Sequence, residues 1–244
     1  MNDLNDLIKP GAGESNGCLL CGAPLEYLVR DEAMECSFCG KKETSKTRCR
    51  NGHYVCDECH SAGADAILPM CLAHASKDPA AILEDLMAAP FCHMHGPEHH
   101  VLVGASLLTA YANAGGKINL RDALLEMLGR GRQVPGGACG FWGACGAAIS
   151  TGMFVSIVTG ATPLSGDAWG LANQMTSRAL GAIGDIGGPR CCKRDSFLSI
   201  REAAAFTAEK LGVRMELSEI ICTHSAQNAQ CIGRRCPFSP AGRR

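Results

Sequence analysis

Sixteen cysteines in 244 residues, with those of the N-terminal third set largely as Cys-x-x-Cys pairs, constrain this chain more than any other feature. Thiols paired at that interval, with eight histidines interspersed, are the pattern of metal ligation in a reducing compartment rather than of disulfides. Met1 to Ser15 is polar and acidic, without a basic region followed by an apolar run, so it does not read as a secretory signal and a cytoplasmic location is expected. Soft ligands in this number are fragile in oxygen if any bind iron, which points to an anaerobic or microaerobic host.

Four segments follow from the spacing. Residues 1–17 read as a flexible lead, 18–76 as a zinc-binding module, 78–221 as a helical domain and 222–244 as a cysteine-containing tail. The predicted fold class is mostly α, a helical C-terminal domain carrying a small zinc-ribbon or treble-clef-like N-terminal module. Asp78-Pro79 places an N-cap and a first-turn proline ahead of a helix to Ala89. Further helices are expected over Val101–Ala114, after Asn119 with Leu120, Leu124, Leu125 and Leu128 at core spacing, after Gly143, after Ser165, and over Phe197–Leu211 up to Gly212. Strand signal is confined to Val213–Cys222. With 29 glycines and only 5% aromatic residues, the core has to be small side chains on closely packed helices.

Ala138 to Gly166 carries no charge and is long enough to cross a bilayer, but its glycines and two cysteines favour a buried helix, and no membrane partner is expected. Lys and Arg number 23 against 24 Asp and Glu, a balance that gives no field for a phosphate backbone, so no nucleic-acid partner is expected either.

Cys18-x2-Cys21 and Cys36-x2-Cys39 are spaced as two knuckles that can face each other and close one tetrahedral thiolate zinc site. Cys49, His53, Cys56, Cys59, Cys71 and His74 supply more ligands than one ion can take, so at least one further zinc is expected. The run from Cys49 to Cys59 resembles the middle of RING-like and B-box-like zinc folds. If the two sets of knuckles shared ligands in a cross-brace, that resemblance implies a protein-interaction surface; separate zinc ribbons would imply scaffolding.

The remaining cysteines are scattered among helices and Gly-rich turns. Cys139 and Cys145 lie where Gly136-Gly137 and Gly140 let backbone approach an inorganic centre, and Cys191-Cys192 follow Gly187-Gly188-Pro189. Taken singly, each would be a small buried hydrophobe; three Gly-flanked sites point instead to a bound cluster. Cys92 and the histidines at 93, 95, 99 and 100, His100 among them, could form a third zinc site. Cys222-x-His224 and Cys231-x4-Cys236-Pro237 resemble the endings of some cluster-binding segments.

Gly137-Ala138-Cys139, then Gly143-Ala144-Cys145 entering the small-residue helix to Gly160 and Ala161-Thr162-Pro163, followed by Pro189-Arg190-Cys191-Cys192-Lys193-Arg194, resembles the alpha part of the iron-sulfur L-serine dehydratases over residues 136–210. The resemblance implies a [4Fe-4S] cluster on Cys139, Cys145 and one of Cys191 or Cys192, with His99, His100, Cys92 or a tail cysteine, Cys231 or Cys236, as a further contact. It also implies an open iron that binds a substrate hydroxyl, with His99, Glu98, Asp185 and Arg194 as candidates for proton transfer and carboxylate binding. The family's upstream cysteine segment aligns near Gly96–His100, where this chain has histidine. The whole chain is also similar to cysteine-rich proteins of anaerobic bacteria and archaea with no assigned activity.

Three functions are therefore open: an iron-sulfur lyase of dehydratase or desulfidase type acting on a small substrate, a non-catalytic zinc/iron-sulfur adaptor or sensor docking a protein partner through its zinc module, or sulfur or electron transfer. In the first, substrate contacts would have to come from the zinc module or another subunit.

Overall fold

The computed structural model of the chain describes residues 17–240; almost all of the expected flexible lead and the last arginines lie outside them. The described chain is mostly helical, with one two-stranded sheet. That sheet is in the zinc module, where β1 (Leu25–Glu35) pairs antiparallel with β2 (Lys42–Cys49) from Leu25↔Cys49 to Glu35↔Lys42, interrupted by an irregularity between Tyr27 and Glu32. The Cys36–Cys39 knuckle is itself the hairpin loop, closed by the Cys36 N–H on the Lys41 carbonyl at 2.9 Å. Sequence periodicity did not reveal this hairpin because most of β1 is exposed and has no apolar face to advertise. The short α1 (Asp57–His60) follows.

The helical body comprises α2 (Ile67–Ala73), α3 (Pro79–Met87), α4 (His99–Asn113), α5 (Leu120–Gly131), α6 (Ala138–Phe141), α7 (Gly146–Thr159), α8 (Asp167–Ile186) and α9 (Cys192–Phe206). The local signals act as expected. Asp78 accepts from the Ala80 and Ala81 N–H groups at 2.8 and 3.4 Å, with Pro79 opening α3. Asn119 caps α5 through the Asp122 N–H at 3.3 Å, and Gly212, at φ 68°, stops the π turn Thr207–Leu211 that continues α9. Leu125 departs from expectation: it is exposed, and Met127 takes the core position instead.

The central element is α4, buried along nearly its whole length and packed on α3, α5, α7 and α9. Close approach depends on small residues. The Gly104 N–H donates to Ser150 Oγ of α7 at 2.9 Å, and Gly152 of α7 lies against Thr176 and the Ala172 carbonyl of α8. The uncharged 138–166 stretch resolves into two helices, and α7's fourteen residues rise only about 21 Å against the roughly 30 Å of a bilayer core. No helix among the described residues is long and apolar enough to cross a membrane.

Residues 213–222 do not form the expected strand. They run as an irregular segment along the body, held by the Glu216 N–H on the Lys77 carbonyl (3.0 Å) and the Ser218 N–H on Asp78 Oδ2 (2.9 Å). A strand needs a ladder partner, and a helix-capping carboxylate takes that place here. Gly152→Ala should overlap the Thr176 hydroxyl and press on the Ala172 carbonyl, lowering stability by about 1–3 kcal/mol. Denaturant unfolding measures that loss, and bound metal should be unchanged.

Candidate metal centres

The module's eight ligands fall into two tetrads: Cys18, Cys21, Cys49 and His53, and Cys36, Cys39, Cys56 and Cys59. The first and third pairs therefore share one site and the second and fourth the other, which is a cross-brace and corrects the expected facing of Cys18/Cys21 on Cys36/Cys39. The reason is the hairpin. β1 carries the chain from the first knuckle out to the second, and eight residues of β2 can span about 26 Å, so the two knuckles stand at opposite ends. β2 then returns Cys49 to Cys21, while Tyr54 bridges beside Cys36 and brings Cys56 to the second knuckle.

Separations agree with single-ion coordination. Four zinc bonds of about 2.3 Å in a tetrahedron set ligand atoms about 3.8 Å apart. Cys21 and Cys49 sulfurs are 3.9 Å apart, Cys49 Sγ is 3.6 Å from His53 Nδ1, and Cys39 and Cys56 sulfurs are 3.7 Å apart. Backbone N–H groups of His53 and Cys56 donate to Cys49 and Cys36 sulfurs, both at 3.3 Å. Gly22 and Gly40, at φ 69° and 72°, close the first two knuckles in the left-handed conformation, their N–H groups donating to the Cys18 and Cys36 carbonyls at 2.8 Å. Both tetrads can bind zinc, and neither leaves a position open.

Cys71 and His74, expected with this module, lie outside both tetrads. Cys71 is buried in α2, where burial pushes its thiol up to about 11, and His74 pairs with Asp85 at 3.0 Å.

The module seats on the helical body. Tyr27 meets Phe141 edge-on at 6.2 Å and lies under the Arg190 guanidinium at 5.4 Å, and Asp57 accepts the Gly136 N–H at 2.7 Å. His60 reaches into the 92–100 loop, 3.5 Å from Glu98, with His93 stacked edge-on at 4.8 Å. Gly96 has to be glycine, since a Cβ would strike the Glu98 carboxylate and the His60 ring.

Gly96 also joins two groups of chemical side chains. Its carbonyl accepts from His99 Nδ1 at 3.1 Å, which leaves the Nε2 lone pair facing Cys92 Sγ at 3.7 Å. Burial pushes the Cys192 thiol well above its ordinary value, and the Gly96 N–H opposes that rise. Cys92, Glu98 and His99 come within 4.8 Å of one another, a third possible metal group. Against a cation there, the buried Lys193 ammonium stands 3.0 Å from Cys92 Sγ. Burial pushes His99 down to about 3, so it is neutral at pH 7 although the Glu98 charge pulls the other way. His100 is not part of this group: its Nδ1 donates to the Val134 carbonyl at 2.9 Å, and its ring lies on Gly146.

Cys139, Cys145 and Cys192 stand in α6, at the N-cap of α7 and in the first turn of α9. Each feels the Asp195 charge, Cys145 also feels Cys139, Cys192 feels Cys145, and the Arg190 charge acts on Cys139 and Cys192. Burial, then Asp195, pushes Cys145 up to about 12, so these thiols stay protonated unless a bound cation displaces the proton. The Ala147 and Ala148 amides at the start of α7 act on Cys145, and Arg190 and Tyr27 line a cavity of about 470 Å³ with Pro24, Asn228 and Gln230, to whose lining none of the three cysteines contributes.

Cys191 faces the other way, with Cys222, Cys231 and Cys236 around a separate cavity. Arg194 also lines that cavity, paired with Asp195 at 3.0 Å, rather than reaching toward Cys139, and Asp185 is exposed in the last turn of α8. Arg190, Tyr27 and Lys193 had not been singled out. Arg190 and Lys193 flank the Cys191-Cys192 pair and were legible as its neighbours, whereas nothing in the sequence marks Tyr27.

The model of a family of unknown function, DUF5714, matches residues 67–239, from α2 to the tail. The chain belongs to this family. The family region contains all the C-terminal cysteines and excludes the cross-braced module. No curated protein and no solved structure matches the chain.

His53→Ala should release one zinc and leave the other, and Cys56→Ser should release the other alone. Zinc content with native mass measurement checks this; a His53→Ala/Cys56→Ser double variant that still holds one zinc would restore the sequential pairing, in which both residues serve the same ion.

Proposed function

We propose that the protein is an iron-sulfur enzyme of the lyase type, acting on a small anionic substrate at a cluster held by Cys139, Cys145 and Cys192. The observation that carries this reading is that those three thiols, on three separate elements, lie within electrostatic reach of one another and of Asp195. Their chemistry fits a cluster. They are soft donors at glycine-permitted turns, they receive backbone N–H groups, and a nearby cation and a helix N-terminus offset anionic charge. Three protein ligands on a four-iron cluster leave one iron open, which supplies a Lewis acid for a leaving hydroxide or sulfide.

The chain's own residues supply the rest. Arg190 is placed to pair with a substrate carboxylate, and Tyr27 beneath it fixes the guanidinium, so the zinc module forms a wall of the substrate cavity. His99, neutral and oriented by the Gly96 carbonyl, can accept a proton at Nε2, and Glu98 behind it accepts the His93 N–H at 2.9 Å. Lys193 donates to Cys92 Sγ at 3.0 Å and opposes the burial that pushes this thiol up to about 11. The zinc ions hold the module together and do no chemistry.

The adaptor reading draws on the cross-brace itself, a frame that can present a docking surface. Against it, Tyr27 of the hairpin, though half exposed, is already engaged by Phe141 and Arg190.

Protein purified and reconstituted without oxygen should lose cluster absorbance in Cys139→Ser, Cys145→Ser and Cys192→Ser and keep its zinc. Small hydroxy acids or thiols should shift the electron paramagnetic resonance of the reduced wild type, and Arg190→Ala should weaken that response at least tenfold in concentration. Full colour in all three cysteine variants overturns the ligand set. A spectrum that no hydroxy acid or thiol alters favours adaptor or electron-transfer roles.

A further inference from the structure

We propose that Cys191, Cys222, Cys231 and Cys236 hold a second iron-sulfur cluster, ligated by four thiolates and separate from the centre at Cys139, Cys145 and Cys192. It uses different cysteines and does not rest on the lyase reading.

The four side chains wall one cavity with Arg194, His224 and Asn228. At about 20 Å³ this cavity is too small for an organic molecule. Covalent ligation draws iron inside van der Waals contact with sulfur, so an inorganic centre needs less free space than an unbonded guest. The sulfurs already sit within donor networks of the kind that surround cluster thiolates. The Arg194 N–H and Asn228 Nδ2 donate to Cys191 Sγ at 3.4 and 3.3 Å, and the Gly233 N–H to Cys231 Sγ at 3.4 Å. Cys222 receives amides from His224 and Ser225 and feels the charges of Cys231 and Cys236, as Cys191 feels that of Cys222.

An independent observation concerns Arg194. Its Nε is paired with Asp195 and one terminal nitrogen with the Pro189 carbonyl, but Nη1 is buried without a partner. A buried guanidinium N–H left unpaired is costly. A four-thiolate cluster is anionic and rich in acceptor sulfur, so it would satisfy this donor. A single zinc fits less well, because the cysteines here are not gathered within 4.8 Å as the two module tetrads are. With every iron bound to thiolate, the site can carry an electron but offers no position to a substrate.

The test is iron and acid-labile sulfide per full-length chain after anaerobic reconstitution, compared with Cys231→Ser, Cys222→Ser and Cys139→Ser. Cys231 is exposed, so its substitution removes no core packing. The tail variants should each lose about four irons and four sulfides. They should also keep both zincs. A Cys139→Ser/Cys145→Ser double variant should retain a four-iron cluster by Mössbauer spectroscopy, an arm that needs no tail substitution. Loss of iron in the tail variants alone, with none lost on Cys139→Ser, supports this site while refuting the lyase centre. Tail variants that keep all their iron, or that lose a zinc in its place, overturn the proposal, as does a double variant without any cluster.

Discussion

The first turn of α9 buries Lys193, Arg194 and Asp195 in succession, and most of the chemistry of the helical body is arranged around that burial. Three charges taken out of water cost several kcal/mol each unless they are paired. Their partners are Cys92 for Lys193, and Asp195 and the Pro189 carbonyl for Arg194. What remains unsatisfied is Arg194 Nη1, in a side chain that lines the same cavity as Cys191, Cys222, Cys231 and Cys236. The preceding pair divides by backbone geometry: Cys191 is the extended N-cap, at φ −147°, and Cys192 begins the helix, so neighbouring sulfurs leave the chain in different directions. One helix start thereby serves two thiol-lined places.

Much of the helical body was legible because its signals are local. Asp78, Asn119 and Gly212 act within a turn of their own positions, and small residues such as Gly104 and Gly152 mark where helices meet. The ligand tetrads of the module were legible as residues but not as partners. Pairing depends on how far β1 and β2 carry each knuckle, and that hairpin has little hydrophobic pattern because metal ligation rather than side-chain burial holds its ends. The division of Cys191 from Cys192 was out of reach for a similar reason, since it rests on one residue's dihedral and on a tail folded back from thirty residues away.

The family region begins at α2 and the cross-braced module precedes it, yet the module is not a detached appendage. Its hairpin lends Tyr27 to the Arg190 cavity, and its α1 lends His60 to Glu98 and Asp57 to the Gly136 amide. A segment this small cannot bury enough apolar surface to hold its own shape, so metal binding supplies the folding energy. Zinc in the module would therefore bear on the helical body through three contacts, one of them on the loop that holds Cys92.

Gly96 is where these dependences meet. Its missing side chain admits the Glu98 carboxylate and the His60 ring, its carbonyl sets the His99 tautomer, and its N–H lies against Cys192. Any larger residue there would push Glu98 and His60 apart before it touched a thiol. Proton-handling side chains and ligand thiols thus share one peptide unit, so the geometry of each is fixed by the same few atoms of backbone.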